Sequence, residues 1–308
     1  MQLDGLHHIT AITGNAPQNL DFYTRLLGMR LVKKTVNQDD PTVYHLFYGD
    51  DEGLPGFDLT FFEYRHAAPG RPGAGMVHRI VWRVASPDAL DFWAGRLAGE
   101  GVEIDRPAAH ALRFRDPEGL QHELAVTAVS DAPLVADHPD IPHEMALQGF
   151  DGVRAYSAAP DSSRHLLEDG LGFAPGADGW EVRGAQRGAT YAYDAPPGGR
   201  AGQGTGSIHH VAWTSGIDEH PAWRGLVTAA GGRPTPVVDR FYFRSIYFLE
   251  PSGVLFEIAT AGPGFTADEP REALGERLSL PPVFEPLRDR LEAILTPLPP
   301  ARPRRVRA

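Results

Sequence analysis

Ile208-His209-His210-Val211-Ala212-Trp213 decides how this chain is organised, because it occurs again in altered form at Val77-His78-Arg79-Ile80-Val81-Trp82. Both copies set ionisable side chains among strand-forming residues and end in tryptophan. Further on, Glu250-Pro251-Ser252-Gly253-Val254-Leu255-Phe256-Glu257-Ile258-Ala259 matches Asp116-Pro117-Glu118-Gly119-Leu120-Gln121-His122-Glu123-Leu124-Ala125. From His209 to Glu257 is 48 residues and from His78 to Glu123 is 45, so a three-residue indel reconciles the copies. Between these landmarks, Asp239-Arg240 and Asp105-Arg106 each stand 11 residues before the acidic-Pro turn.

A weaker repeat links Gly5-Leu6-His7-His8-Ile9 with Gly149-Phe150-Asp151-Gly152-Val153. Each is followed by a proline-containing loop (Pro17, Pro160) and a stretch ending at Leu-Gly (Leu27-Gly28, Leu171-Gly172). The chain thus divides into four modules, 5–66, 76–127, 147–195 and 206–261. In the first, Leu6–Ile12 reads as a strand. Gln18–Leu27 reads as a helix with Leu20, Tyr23 and Leu27 on one face, stopped by Gly28. Met29–Val36, Val43–Tyr48 and Phe57–Tyr64 read as three further strands. The pattern predicts an α+β fold: four βαβββ modules forming two paired-module domains, residues 1–130 and 145–265, with curved mixed sheets around a metal cavity. A C-terminal extension, 266–308, would carry one helix near Glu285–Leu295.

Bulk properties exclude several function classes. The chain has 308 residues and a formal net charge of -11, which argues against nucleic acid as a partner. Its one basic cluster, Arg302-Pro303-Arg304-Arg305-Val306-Arg307, reads as a frayed tail. There are no cysteines, so disulfides and thiolate metal sites are ruled out, and any metal falls to His, Asp or Glu. Met1-Gln2-Leu3-Asp4 lacks the basic start and continuous apolar stretch of a signal peptide, so none is expected, and no apolar run approaches the length of a membrane span. A cytoplasmic protein without membrane partners is expected. The chain's two lysines, Lys33 and Lys34, beside 27 arginines read as a compositional effect.

Two imidazoles and one carboxylate drawn from three strands make a facial triad, the ligand set of non-haem Fe(II) oxygenases. The repeat tests which modules can supply it. His210 aligns with Arg79, and His8 aligns with Gly152, so only modules one and four keep the first-strand ligand. One site is expected per chain, built from His8, His210 and Glu257. A single strand histidine is ordinarily structural, and Glu123 shows that the carboxylate persists where no histidine accompanies it. The joint occurrence carries the signal. Strand alternation predicts that one histidine of each pair points inward and its neighbour outward. Because His78 persists in a ligand-free module, His7 and His209 take the auxiliary position.

Paired βαβββ modules, the Leu6-His7-His8-Ile9-Thr10 start, His209–Trp213 and Ser252–Thr260 resemble the vicinal oxygen chelate superfamily. Asp239-Arg240-Phe241-Tyr242-Phe243-Arg244-Ser245-Ile246-Tyr247-Phe248 resembles its ring-cleaving dioxygenases that act on hydroquinones. The resemblance covers about residues 5–261. It implies Fe(II) on His8, His210 and Glu257, with Mn(II) accepted by the same ligands, and O2 and a small aromatic substrate as partners. It also implies active-site positions at His7, Thr10, His209, Arg240 and Tyr247. On the residues' own chemistry, Tyr247 and His209 would donate or move protons, and Arg240 would orient an oxygen or stabilise negative charge. Arg240 has a counterpart in Arg106, so a structural Asp–Arg pairing competes with that role. Thr10 reads equally as a β-branched strand residue, and Phe241, Phe243 and Phe248 read as core. Tyr247 aligns with Arg113, which makes its identity specific to module four.

Two other functions fit the same fold. A glyoxalase-type isomerase or lyase would need a fourth protein ligand, for which Glu63 is the candidate. Its spacing from His8 (55 residues) departs from the 47 between His210 and Glu257. A non-catalytic aromatic-drug-binding protein would need no triad. Ring substituents, hydroquinone against catechol, and a homo-oligomeric partner stay open at this point.

Overall fold

The computed structural model describes residues 1–300; the basic cluster at Arg302–Arg307 lies outside them. Module one contributes β1 (Leu6–Thr13), α1 (Ala16–Asp21), β2 (Arg30–Val36), β3 (Tyr44–Gly49) and β4 (Asp58–Glu63). Module two contributes β5 (Met76–Val84), α2 (Pro87–Gly99), β6 (Ile104–Ala108), β7 (Ala111–Arg115) and β8 (Gln121–Val126). Module three contributes β9 (Phe150–Tyr156), β10 (Ala174–Gly176), β11 (Gly179–Arg183) and β12 (Gly188–Asp194). Module four contributes β13 (Ile208–Ser215), α3 (His220–Ala229), β14 (Val238–Asp239), β15 (Phe243–Leu249) and β16 (Leu255–Pro263). The extension carries α4 (Arg288–Ile294), inside the stretch expected to be helical. No described helix is long and apolar enough to cross a membrane.

Local chemistry explains the first module's helix. The Asn15 side chain accepts from Gln18 N at 3.1 Å, and Pro17 stands in the first turn, where its missing N–H costs nothing. The helix widens into a π turn over Phe22–Leu26 and stops at Gly28, whose φ of 74° is in the left-handed region. Module three departs from the repeat here: a 3-10 turn (Pro160–Ser163) and a π turn (Leu166–Gly170) stand in place of an α-helix.

The strands form two eight-stranded sheets, β14-β15-β16-β13-β1-β4-β3-β2 and β10-β11-β12-β9-β5-β8-β7-β6. Within a module the first strand runs parallel to the last, and the other two continue as an antiparallel meander. The first strands of two modules then pair antiparallel at the sheet centre. Module one joins module four and module two joins module three, so the sheets do not follow the division into 1–130 and 145–265. This pairing brings the two ends of the sequence into one sheet.

Side-chain alternation separates the faces of the first sheet. Ile9, Ala11, Leu59, Phe61, Val211, Trp213, Phe256 and Ile258 enter a core that also takes Ile80, Trp82 and Leu124 of the second sheet. The opposite face carries a separate apolar cluster that includes Phe47, Ala212, Tyr242 and Phe243. The C-terminal extension covers the edge of this sheet. Leu278 bridges to Lys34 of β2, and Ser279 N donates to Lys34 O at 2.8 Å. Lys33 is fully buried, where it pairs with Asp268 at 2.7 Å and with Glu269. Composition therefore undersold this lysine: it fastens the extension to β2.

Candidate metal centre

The pairing of β1 with β13 sets His8 opposite Ala212 and Thr10 opposite His210, but it breaks on either side. One extra residue stands between Leu6 and His8, and another between Ile208 and His210. These are His7 and His209, each the bulged residue of its strand. His78 and Asp151 occupy the same bulge in the second sheet. The bulge corrects the expectation that neighbouring histidines face opposite ways. His7 Nδ1 lies 2.9 Å from His8 Nδ1, and His209 Nδ1 lies 2.8 Å from His210 Nδ1.

Among the described residues, His8, His210 and Glu257 form a buried group able to hold a metal ion. His8 Nε2 and His210 Nε2 are 3.3 Å apart, and they lie 3.2 and 3.0 Å from Glu257 Oε2. Three ligands at right angles, with bonds of roughly 2.1–2.2 Å, would stand about 3.0–3.1 Å apart. The triangle therefore matches one face of a six-coordinate ion. Ser245 Oγ donates to Glu257 Oε1, whereas the buried Oε2 accepts no hydrogen bond. An unsatisfied buried carboxylate oxygen facing two imidazole nitrogens fits a cation. Burial opposes ionisation of Glu257, and positive charge on His8 and His210, when they are protonated in the absence of a metal, overrides it and holds the carboxyl well below its ordinary range.

The outer histidines differ. His7 Nε2 lies 3.0 Å from Thr260 O, an acceptor only, so that nitrogen carries the proton. Burial, with His8 adding to it, pushes the His7 pKa down to about 3, and the ring is neutral. Its Nδ1 must then accept from His8 Nδ1–H, which leaves the His8 Nε2 lone pair directed at the triad. His209 makes the same contact to His210, but it lines the cavity above the triad, which His7 does not. Burial, helped by His210, lowers its pKa to about 4.

That cavity measures about 400 Å³. Tyr247 pairs with Glu257 across β15 and β16, and Arg240 Nε donates to its hydroxyl at 3.2 Å. Burial and the Glu257 charge raise the Tyr247 pKa, so the phenol keeps its proton. Arg240 makes a bidentate pair with Asp39, 2.9 Å to each oxygen. Its acidic partner is thus a module-one residue rather than the neighbouring Asp239, which caps Phe241 N. Thr10 is fully buried and accepts from Thr60 Oγ1 at 2.8 Å.

Residues 5–124 match the Glyoxalase/Bleomycin resistance protein/Dioxygenase superfamily. MhqO of Bacillus subtilis, provisionally named a ring-cleaving dioxygenase, is 39% identical over 301 residues, spanning 95% of this chain and 96% of its own length. The chain belongs to this superfamily. The chlorohydroquinone/hydroquinone 1,2-dioxygenase of Sphingobium indicum is 33% identical over 94% of this chain and 95% of its own. The crystal structure of a provisionally assigned Bacillus subtilis dioxygenase superposes with a TM-score of 0.90 at 37% identity, covering 97% and 98% of the two chains.

Within the superfamily's module plan, the fourth ligand position can be read from the register. Glu257 lies opposite Ala212, two residues beyond His210; Thr60 lies opposite Thr10, two residues beyond His8. Threonine therefore occupies that position. Glu63 pairs with Thr13 instead, where it accepts from Ala16 N at 3.0 Å and Thr296 Oγ1 at 2.7 Å. Sequence inspection missed Ser245, Asp39, Thr60 and His45. A search for side chains at register positions neighbouring Glu257 and its module-one counterpart would have found Ser245, Thr60 and His45. No sequence signal marks Asp39, which meets Arg240 from 201 residues away.

Proposed function

We propose that the protein is a non-haem Fe(II)-dependent, or Mn(II)-dependent, ring-cleaving dioxygenase that places both atoms of O2 into a hydroquinone or related dihydroxylated aromatic. The observation that carries this reading is the triangle of His8 Nε2, His210 Nε2 and Glu257 Oε2, at one wall of an aromatic-lined cavity. A bound Fe(II) or Mn(II) would supply the electron transfer that couples an electron-rich ring to O2. The full-length similarity to a chlorohydroquinone/hydroquinone 1,2-dioxygenase supports the substrate class.

The chain's own residues divide the remaining tasks. His7, anchored on Thr260 O, orients His8 and fixes its tautomer. With His210 Nδ1–H donating to His209, the proton of His209 stands on Nε2, and His209, which lines the cavity, can give it to a bound oxygen. Tyr247 holds a second proton, and Arg240 holds the Tyr247 oxygen in place and adds positive charge. Phe47, Phe62 and Phe243 give the ring an apolar wall. Thr60 at the fourth ligand position counts against the isomerase reading, and a buried carboxylate facing two imidazoles counts against a passive binder.

The test is oxygen uptake by protein loaded anaerobically with Fe(II) or Mn(II), given hydroquinones, catechols and methylglyoxal–thiol adducts in turn. Uptake with hydroquinone and formation of a ring-opened product is the expected result. Turnover of the thiol adduct without uptake on any aromatic would replace this reading with the isomerase.

A further inference from the structure

His45 offers the cavity a chemistry that the Tyr247 wall does not. It stands on β3, two strands from β1, or about 10 Å of sheet at the usual strand spacing. It lines the same cavity as the triad. Its ring lies between Phe47 and Phe62, with centroids 4.0 and 4.4 Å away, so packing fixes its orientation. Phe62 in turn meets His209 edge-on at 5.6 Å, which ties His45 to the reacting end of the cavity.

The hydrogen-bond partners assign the tautomer. Thr60 Oγ1 gives its single proton to Thr10 Oγ1, so it must accept from His45 Nε2–H, which lies 2.9 Å away. An imidazole that donates through Nε2 carries its lone pair on Nδ1. Among the described residues no donor reaches His45 Nδ1, and the ring is only partly buried. Elsewhere the lining presents donors: Arg240, the Tyr247 hydroxyl and His209. Those suit an oxygen on which negative charge develops. An acceptor suits a hydroxyl that keeps its proton, and a 1,4-diol has one such group once its other oxygen has gone to the metal.

We propose that His45 Nδ1 accepts a hydrogen bond from the substrate's second hydroxyl, remote from the metal, and thereby selects 1,4-dihydroxylated rings over rings with no donor at that position. The inference rests on the dioxygenase reading above. A site built to pair a substrate hydroxyl rejects the analogue that lacks it, because the protein group is left unpaired. For a partly buried neutral acceptor the expected discrimination is about 10- to 100-fold.

The test is anaerobic calorimetric titration of the metal-loaded protein with hydroquinone and with 4-methoxyphenol, for wild type, His45→Phe and Thr60→Val. Metal content and thermal melting are checked for each. The wild type is expected to prefer hydroquinone. His45→Phe should bind the two ligands about equally, with the loss falling on hydroquinone, and its KM should rise more than its kcat falls. Thr60→Val removes the partner that holds the Nε2–H, so its preference should shrink as well. A folded, metal-loaded His45→Phe with the wild-type preference overturns the assignment; should that variant not fold, an undiminished preference in Thr60→Val does so. A wild type that consumes no O2 with any dihydroxylated ring overturns the dioxygenase reading itself, which the titrations alone would not.

Discussion

The centres of the two sheets follow one plan and treat their carboxylate differently. Glu257 stands opposite Ala212 and Tyr247; at the same register, Glu123 stands opposite Val81 and Arg113. In the second sheet Glu123 Oε2 takes Arg113 Nε at 2.6 Å and Arg79 Nη1 at 3.3 Å. Arg79 occupies the position of His210, so a permanent cation sits where the first sheet presents an imidazole. Gly152 occupies the position of His8, and a Cβ there would run into Thr190 Oγ1 and the Thr190 carbonyl. The second sheet therefore neutralises its carboxylate with guanidinium, while the first leaves Glu257 facing nitrogens that can be neutral. What separates a structural centre from a metal centre is whether the cation is part of the chain.

The largest expected difference between the centres is in metal retention. Glu257→Ala should lose its bound metal, read by mass spectrometry of the purified protein, with the far-ultraviolet circular dichroism preserved. Glu123→Ala should keep both metal and turnover. Full metal occupancy in Glu257→Ala would remove the distinction.

Next comes the bulged histidine. His7→Ala frees the His8 tautomer, and metal affinity should fall about 10- to 100-fold in a competition titration. His78, the equivalent residue, pairs with Asp194 at 2.8 Å, and its replacement should leave metal affinity unchanged. Equal effects of the two variants would show that the bulge itself, rather than the proton order at His8, matters.

Gly152→His probes whether the second centre could be converted. Overpacking against β12 should cost about 1–3 kcal/mol in urea denaturation, with no second metal bound. A stable variant holding two ions per chain would contradict the steric account.

The smallest effect concerns acid stability away from the metal. His122 is buried, accepts from Trp82 Nε1 at 3.1 Å, and has its pKa pushed down to about 3 by burial. The unfolded chain takes up this proton below about pH 6.5, and the folded chain only near pH 3. The unfolded state binds more protons in that window, so stability is full above about pH 6.5 and falls as pH drops, by on the order of 1 kcal/mol per pH unit. His122→Gln should flatten this acid limb, measured as denaturation midpoints between pH 7 and 5.

The sequence made the triad legible because the internal repeat supplied its own controls. Arg79 and Gly152 showed which modules had lost the ligand, and the sheet pairing of modules one and four brings the retained ones together. The bulges were not legible, since nothing in Leu6-His7-His8 distinguishes regular alternation from one inserted residue. For Arg240 the sequence offers only the adjacent Asp239 as a structural partner competing with a catalytic role, because local sequence shows only local partners, whereas Asp39 reaches it through the sheet. Glu63 illustrates the same limit from the other side. Counting residues left its register uncertain, and the pairing of Thr13 with Glu63 decides it. Lys33 was dismissed on composition, although burial against Asp268 and Glu269 gives it a specific task.

The most direct measurement is isotopic. Metal-loaded wild type and Glu257→Ala are each given hydroquinone under 18O2, and the product is weighed. A ring-opened product carrying two labelled oxygens from the wild type, and none formed by Glu257→Ala, is the predicted result. Unlabelled product, or labelled product formed equally by both proteins, would contradict a ring-cleaving dioxygenase centred on His8, His210 and Glu257.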